Sequence, residues 1–204
     1  MNDSYLNTLL QNYPNLATAA SDIRKANQTL CTQFEAGNKL LICGNGGSGS
    51  DSDHIAGELL KGFALERPLL EHEKASLPKH IANSLQRGLP VIPLVGFPAF
   101  SSAFLNDCDP SYAFAQLVWA LGKPGDVLLA ISTSGNSRNV LHAVETAHAK
   151  SMKVISLTGR DGGQIAKQSD CSIIVPENET YRIQEHHLPI YHCICLTIED
   201  YFFG

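Results

Sequence analysis

Four hydroxyl side chains crowd the stretch Ala130-Ile131-Ser132-Thr133-Ser134-Gly135-Asn136-Ser137, where an apolar run leads into a helical pattern. Such a turn gathers hydroxyl donors, exposed backbone N–H groups and the positive end of a helix dipole in one small volume. That combination suits a phosphate monoester. An ordinary Asn/Ser helix cap uses the same residue types, so the reading gains weight from a second turn. In Cys43-Gly44-Asn45-Gly46-Gly47-Ser48-Gly49-Ser50, four glycines in six positions remove Cβ atoms and let backbone N–H groups approach a ligand. Gly44 to Gly49 fits G-x-G-x-x-G literally, yet no acidic residue closes a second strand about twenty residues later, as a dinucleotide site requires. The chain also lacks G-x-x-x-x-G-K-[ST], which argues against a nucleoside triphosphate site.

Acid–base candidates follow the glycine-rich turn. His54 and Glu58 are spaced i and i+4 on the expected helix, so both leave from one face. A solvated helix face would look the same; the ligand loop one turn away favours chemistry. A second cluster, Arg182-Ile183-Gln184-Glu185-His186-His187, continues to His192, and Gln184 and His192 are embedded in an otherwise apolar helix. Eight helical residues rise about 12 Å. Gln184 and His192 can therefore meet one ligand only if Gln184 precedes the regular helix, Pro189 bends it, or the two come from different subunits.

The elements that must position these residues alternate. Tyr5, Leu6, Leu9, Leu10, Leu16, Ile23, Leu30 and Phe34 recur at helical spacing, with Pro14 dividing a short helix from a longer one and Gly37-Asn38 ending the second. Short apolar runs bounded by turn residues predict strands at Lys39–Cys43, Leu89–Val95, Val127–Ile131, Lys153–Leu157 and Ser172–Val175. Helical segments lie between them, clearest at Asn136–Lys150, and a last helix runs from about Tyr181 to Phe202, interrupted or kinked at Pro189. This pattern predicts an α/β fold, a three-layer αβα sandwich on a five-stranded parallel sheet of flavodoxin or Rossmann type, with ligands at the carboxyl ends of the strands. Both turns fall at such ends. Residues 66–88 break the alternation and read as a surface excursion, with a short helix at Lys79–Gln86.

The 204 residues are expected to form one domain, 1–204, opening with the helices of residues 1–37. A formal charge of −5 without Lys/Arg clusters argues against nucleic acid as the main ligand. No apolar run approaches the roughly 20 residues that span a bilayer, and the N-terminus lacks a signal pattern, so a cytoplasmic protein with no membrane partner is expected. The six cysteines read as reduced core thiols, since Cys193-Ile194-Cys195 lacks the second pair of a structural zinc site.

Taken together, these residues resemble a known family, the sugar isomerase (SIS) domain and within it the phosphoheptose isomerases. The carriers are Cys43 to Ser48, His54-Ile55-Ala56-Gly57-Glu58, Asn106-Asp107, Gly125 to Ser137, Leu157-Thr158-Gly159 with Asp161-Gly162-Gly163, and Arg182-Ile183-Gln184-Glu185 followed by His187 and His192. The resemblance implies isomerisation of sedoheptulose 7-phosphate to D-glycero-D-manno-heptose 7-phosphate, in the synthesis of bacterial surface heptoses. It places the phosphate on Ser132, Thr133, Ser134 and Ser137, and the sugar on Asn45, Gly46, Gly47, Ser48, Glu58, Asn106, Asp107 and Gln184. His54, Glu58, Gln184 and His192 match positions that hold one zinc ion per subunit, and Glu58 and His192 match the catalytic acid–base pair. The family forms homotetramers with sites between subunits. The chain differs from better-known members in a longer segment between Arg67 and Asn106 and in Tyr181 before Arg182. The competing reading is a non-catalytic phosphosugar-binding regulator like the DnaA initiator-associating factor. That relative lacks the counterparts of Glu58 and His192.

Overall fold

Period-two alternation in the strands decides which side chains face which layer. In the computed structural model, which describes residues 3–204, β1 (Leu40–Cys43), β2 (Val91–Pro93), β3 (Val127–Ser132), β4 (Lys153–Thr158) and β5 (Cys171–Ile174) form one sheet. All pairings are parallel and the order is β2-β1-β3-β4-β5. Leu40 and Ile42 point to one face with Val127, Leu129, Ile155 and Leu157. Leu41 and Cys43 point to the other with Leu128, Ala130 and Val154.

The first face is covered by α1 (Ser4–Asn12), α2 (Ala20–Glu35), α3 (Gly47–Leu60) and α10 (Thr180–Phe203). The opposite face is covered by α7 (Ala113–Leu121), α8 (Arg138–Ala149) and the short α9 (Gly163–Lys167). The strand order reverses direction between β1 and β3, and in doubly wound sheets the ligand crevice opens at such a point. Both glycine- and serine-rich turns leave from these two strands.

Several boundaries differ from the sequence reading. The strand expected over Leu89–Val95 shrinks to three residues, because Pro90 and Pro93 each remove a ladder donor at this sheet edge. The helix expected at Lys79–Gln86 is the single turn α5 (Lys79–Ala82), and another turn, α4 (Glu71–Lys74), precedes it. α10 is one continuous helix through Pro189 rather than an interrupted one. The excursion also begins inside the protein, since Arg67 is buried. Pro14 divides the N-terminal helices as read, by opening a 3-10 segment over Pro14–Ala19. Five cysteines are buried and Cys108 is exposed, so the core reading fails at that one position. Burial pushes the Cys171 and Cys193 thiols up to about 11, and Cys31 and Cys43 to about 12, which keeps them protonated.

Candidate functional site

The serine turn is shaped before any ligand arrives. Ser132 ends β3 and its hydroxyl meets the Ser137 hydroxyl at 3.0 Å across the bend. Gly135 takes φ +64 and donates its N–H to the Ser132 carbonyl at 3.0 Å. A Cβ there would also overlap the Gly162 carbonyl, so both the backbone twist and the close approach require glycine. Ser137 sits at the N-cap of α8 without a side-chain cap bond. The Val140 N–H is taken by the Asn139 Oδ1 at 3.0 Å, which leaves the N–H groups of Arg138 and Asn139 for an anion, and the Ser137 hydroxyl is shared with Ser132. Thr133 and Ser134 are half-buried beside it.

The glycine turn is tied to that bend. Asn45 and Asn139 exchange two hydrogen bonds, each 2.9 Å, which pin the loop after β1 to the first turn of α8. Ser48 is buried in the opening turn of α3, while Asn45, Gly46 and Gly47 are exposed. Gln184, from the first turns of α10, lies against Gly47: a Cβ at Gly47 would stand 2.5 Å from the Gln184 Nε2. Eight expected ligand contacts, Asn45, Gly46, Gly47, Ser48, Ser132, Thr133, Ser134 and Ser137, thus belong to two linked turns, with Gln184 of α10 beside them.

Farther along, α3 and α10 run side by side in the same direction, and a second cluster forms between them. The His54 Nε2 faces the Glu58 Oε1 at 3.2 Å. The His54 and His192 rings stand with centroids 5.1 Å apart, and Phe63 packs on His192 at 5.5 Å. The Nε2 of His192 is buried with no hydrogen-bond partner. Burial, followed by the neighbouring His54, lowers the His192 pKa against the opposing pull of Glu58, which leaves the ring neutral at neutral pH. Lys61 reaches the Glu58 Oε2 at 3.4 Å from a solvent-facing position.

The structure does not unite all the expected residues within one chain. Glu58 stands eleven residues beyond Gly47 along α3, about 16 Å at helical rise. Gln184 and His192 lie on one unbroken helix, about 12 Å apart along its axis. Among the described residues, no three His, Cys, Asp or Glu side chains converge as a metal cluster. Asn106 and Asp107 end the helix α6 (Pro98–Asp107), bonded to each other at 2.8 Å and to neither turn.

Two residues beside the cluster escaped the sequence reading. The Tyr191 hydroxyl meets the His54 Nδ1 at 3.0 Å and donates to the Asp51 Oδ1 at 3.2 Å. Asp51 precedes His54 by three positions on the same helical face, a signal the sequence did contain. A third feature lies past the end of α3. Arg67 and Glu199 form a fully buried ion pair at 2.7 Å, and Glu199 also accepts the backbone N–H groups of Phe63, Ala64 and Leu65.

The sequence and the fold are both similar to those of known proteins. Residues 4–159 match the SIS domain family. The chain is 43% identical over 188 residues to a phosphoheptose isomerase from Thiobacillus denitrificans, covering 91% of this chain and 86% of that protein. It is 41% identical over 185 residues to the phosphoheptose isomerase of Chromohalobacter salexigens, covering 89% and 84%. The solved structure of a phosphoheptose isomerase from Francisella tularensis superposes with a TM-score of 0.79 at 36% identity, over 97% of this chain and 96% of that one.

Proposed function

We propose a function from one premise: this chain belongs to the SIS-domain family and, within it, to the phosphoheptose isomerases. It is an aldose–ketose isomerase of heptose phosphates, and the non-catalytic regulatory reading is not favoured. The reaction we assign is sedoheptulose 7-phosphate to D-glycero-D-manno-heptose 7-phosphate. One observation carries the assignment of residues: Glu58 and the partnerless Nε2 of His192 both border His54, between two helices whose starts frame the anion-binding turns.

Moving a proton between C1 and C2 through an enediol needs one group for the carbon-bound proton and another for the oxygen-bound one. Glu58 takes and returns the carbon-bound proton. His192, held neutral by burial, passes the hydroxyl proton. Ser132, Thr133, Ser134, Ser137 and the first N–H groups of α8 hold the phosphate, and the Asn45 loop with Gln184 borders the sugar.

His54, Glu58, Gln184 and His192 would hold a zinc ion. The chemistry of these donors is compatible, because the bare Nε2 of His192 and the facing pair His54 Nε2 and Glu58 Oε1 are nitrogen and oxygen ligands. When bound, the ion would polarise the substrate carbonyl. Gln184 lies too far along α10 to join that set from the same chain, and Glu58 lies a similar span from the turns. Both separations support a homotetramer in which a second copy completes each site. No described helix is long and apolar enough to cross a membrane, and we place the enzyme in the cytoplasm.

Incubating the purified protein with sedoheptulose 7-phosphate and following the aldoheptose phosphate by NMR tests the assignment. Turnover of a different phosphosugar alone would move the substrate and keep the reaction type. Sedimentation velocity tests the tetramer, and a monomeric active enzyme would remove the shared site.

A further inference from the structure

Tyr191 is one of the most deeply buried large side chains of the protein, yet its hydroxyl is polar and fully committed. It lies 3.0 Å from the His54 Nδ1 and 3.2 Å from the Asp51 Oδ1. A phenol carries a single proton, and an ionised carboxylate only accepts. Tyr191 therefore donates to Asp51 and accepts from His54, which fixes the His54 proton on Nδ1. The other ring nitrogen then confronts the Glu58 Oε1 at 3.2 Å. Two acceptors cannot face one another at that distance without a proton or a cation between them.

We propose that Tyr191, anchored by Asp51, is a positioning residue that sets the His54 ring and its tautomer, so that the Nε2 lone pair is aimed at the gap beside Glu58. The proposal rests on the isomerase reading only for the role of Glu58. A divalent cation would be held in that gap by the Nε2 lone pair and the Glu58 Oε1. Neither Asp51 nor Tyr191 touches the substrate in this account. They act through His54, as outer partners of a ligating histidine do when they select its tautomer. The ring packing is independent of the hydroxyl: Tyr191 stands edge-on to His54 and His192 at 5.4 and 5.1 Å between centroids. Tyr191→Phe keeps that packing and removes the device alone.

The test uses full-length metal-free protein labelled with 15N at histidine. The His54 Nδ1 of the wild type should show a protonated signal, and Tyr191→Phe should convert it to a mixture of tautomers. Competition with a chromophoric chelator should then give a zinc dissociation constant about 10- to 100-fold weaker for Tyr191→Phe, with a smaller loss for Asp51→Asn, which still accepts from Tyr191. Isomerase kcat should fall in the same order while KM holds. A bare Nδ1 in the wild type, or ring signals unchanged in Tyr191→Phe, overturns the proposal. A purely structural role would lower the melting temperature of the variant without moving the ring signals, and that outcome also overturns it. If wild-type protein takes up no zinc, the metal reading fails, and the ring signals of the metal-free protein still decide the role of Tyr191.

Discussion

Two charged clusters join α3 and the segment after it to α10, and they differ in how fully their atoms are partnered. At Arg67–Glu199, one carboxylate accepts three backbone N–H groups and a guanidinium, while Arg67 also donates to the carbonyls of Glu58 and Leu59 at 3.1 and 2.9 Å. Burial alone would raise the Glu199 pKa, but the donors of Phe63, Ala64 and Arg67 outweigh it and hold the carboxyl below its usual range. At His54–Glu58–His192, a ring nitrogen of His192 is left bare, the His54 Nε2 and Glu58 Oε1 stand 3.2 Å apart, and the His54 side chain is 42% exposed. Saturation marks the first cluster as architecture. Incompletion of the second fits the chemistry we propose for it.

Neutralising one carboxylate in each cluster is the strongest way to break that contrast. Glu58→Gln should lower kcat about 10²- to 10⁴-fold, the usual share of general acid–base catalysis, with an unchanged urea midpoint. Wild-type turnover in that variant would take Glu58 out of the chemistry. Glu199→Gln should do the reverse and cost about 3–5 kcal/mol of stability by leaving Arg67 buried and unpaired. The double change Arg67→Met with Glu199→Leu should recover most of that loss, as apolar replacements of buried pairs often do. A single-variant cost under about 1 kcal/mol would show that the pair is not a structural anchor.

A third group sharpens the rule. His187 also has a bare nitrogen, Nδ1, but it is completely buried and donates weakly from Nε2 to the Thr158 carbonyl at 3.4 Å. Burial lowers its pKa from 6.5 to about 4. Between these values the unfolded chain binds more protons, so stability falls as pH drops through that window, by roughly 3 kcal/mol in full. His187→Gln should flatten this slope in urea melts between pH 7 and pH 4; an equal slope in both proteins would show that another group carries it. The smallest effect is expected at the bridge between the turns. Losing it in Asn139→Ala should raise KM about fivefold, near 1 kcal/mol, and leave kcat alone. A changed kcat with constant KM would place Asn139 in the chemistry instead.

The sequence disclosed what repeats locally. Apolar runs and their punctuation located all five strands, and hydroxyl and glycine content picked out two turns that the fold ties together. It disclosed less where a residue's meaning depends on a partner far along the chain. Arg67 reads as a surface charge until Glu199, 132 positions later, accepts it; the signal available was the carboxylate pair Glu199-Asp200 set directly after the largely apolar run Cys193 to Ile198. Tyr191 reads as a core aromatic until α10 is laid beside α3. Asn106 and Asp107 were placed by resemblance alone, and nothing in one chain draws them to the turns.

The contact between Gly135 and the Gly162–Gly163 loop carries a consequence for selectivity. The backbones of two neighbouring loops abut at Gly135 and Gly163, and the Asn136 Oδ1 accepts the Gln164 N–H across the seam at 3.1 Å, so the serine turn has little freedom to adapt. On the proposed assignment, every phosphorylated sugar of similar length would meet the same rigid socket at its tail. Discrimination among them would thereby fall to the far end of the molecule, where loops can be altered without disturbing this turn.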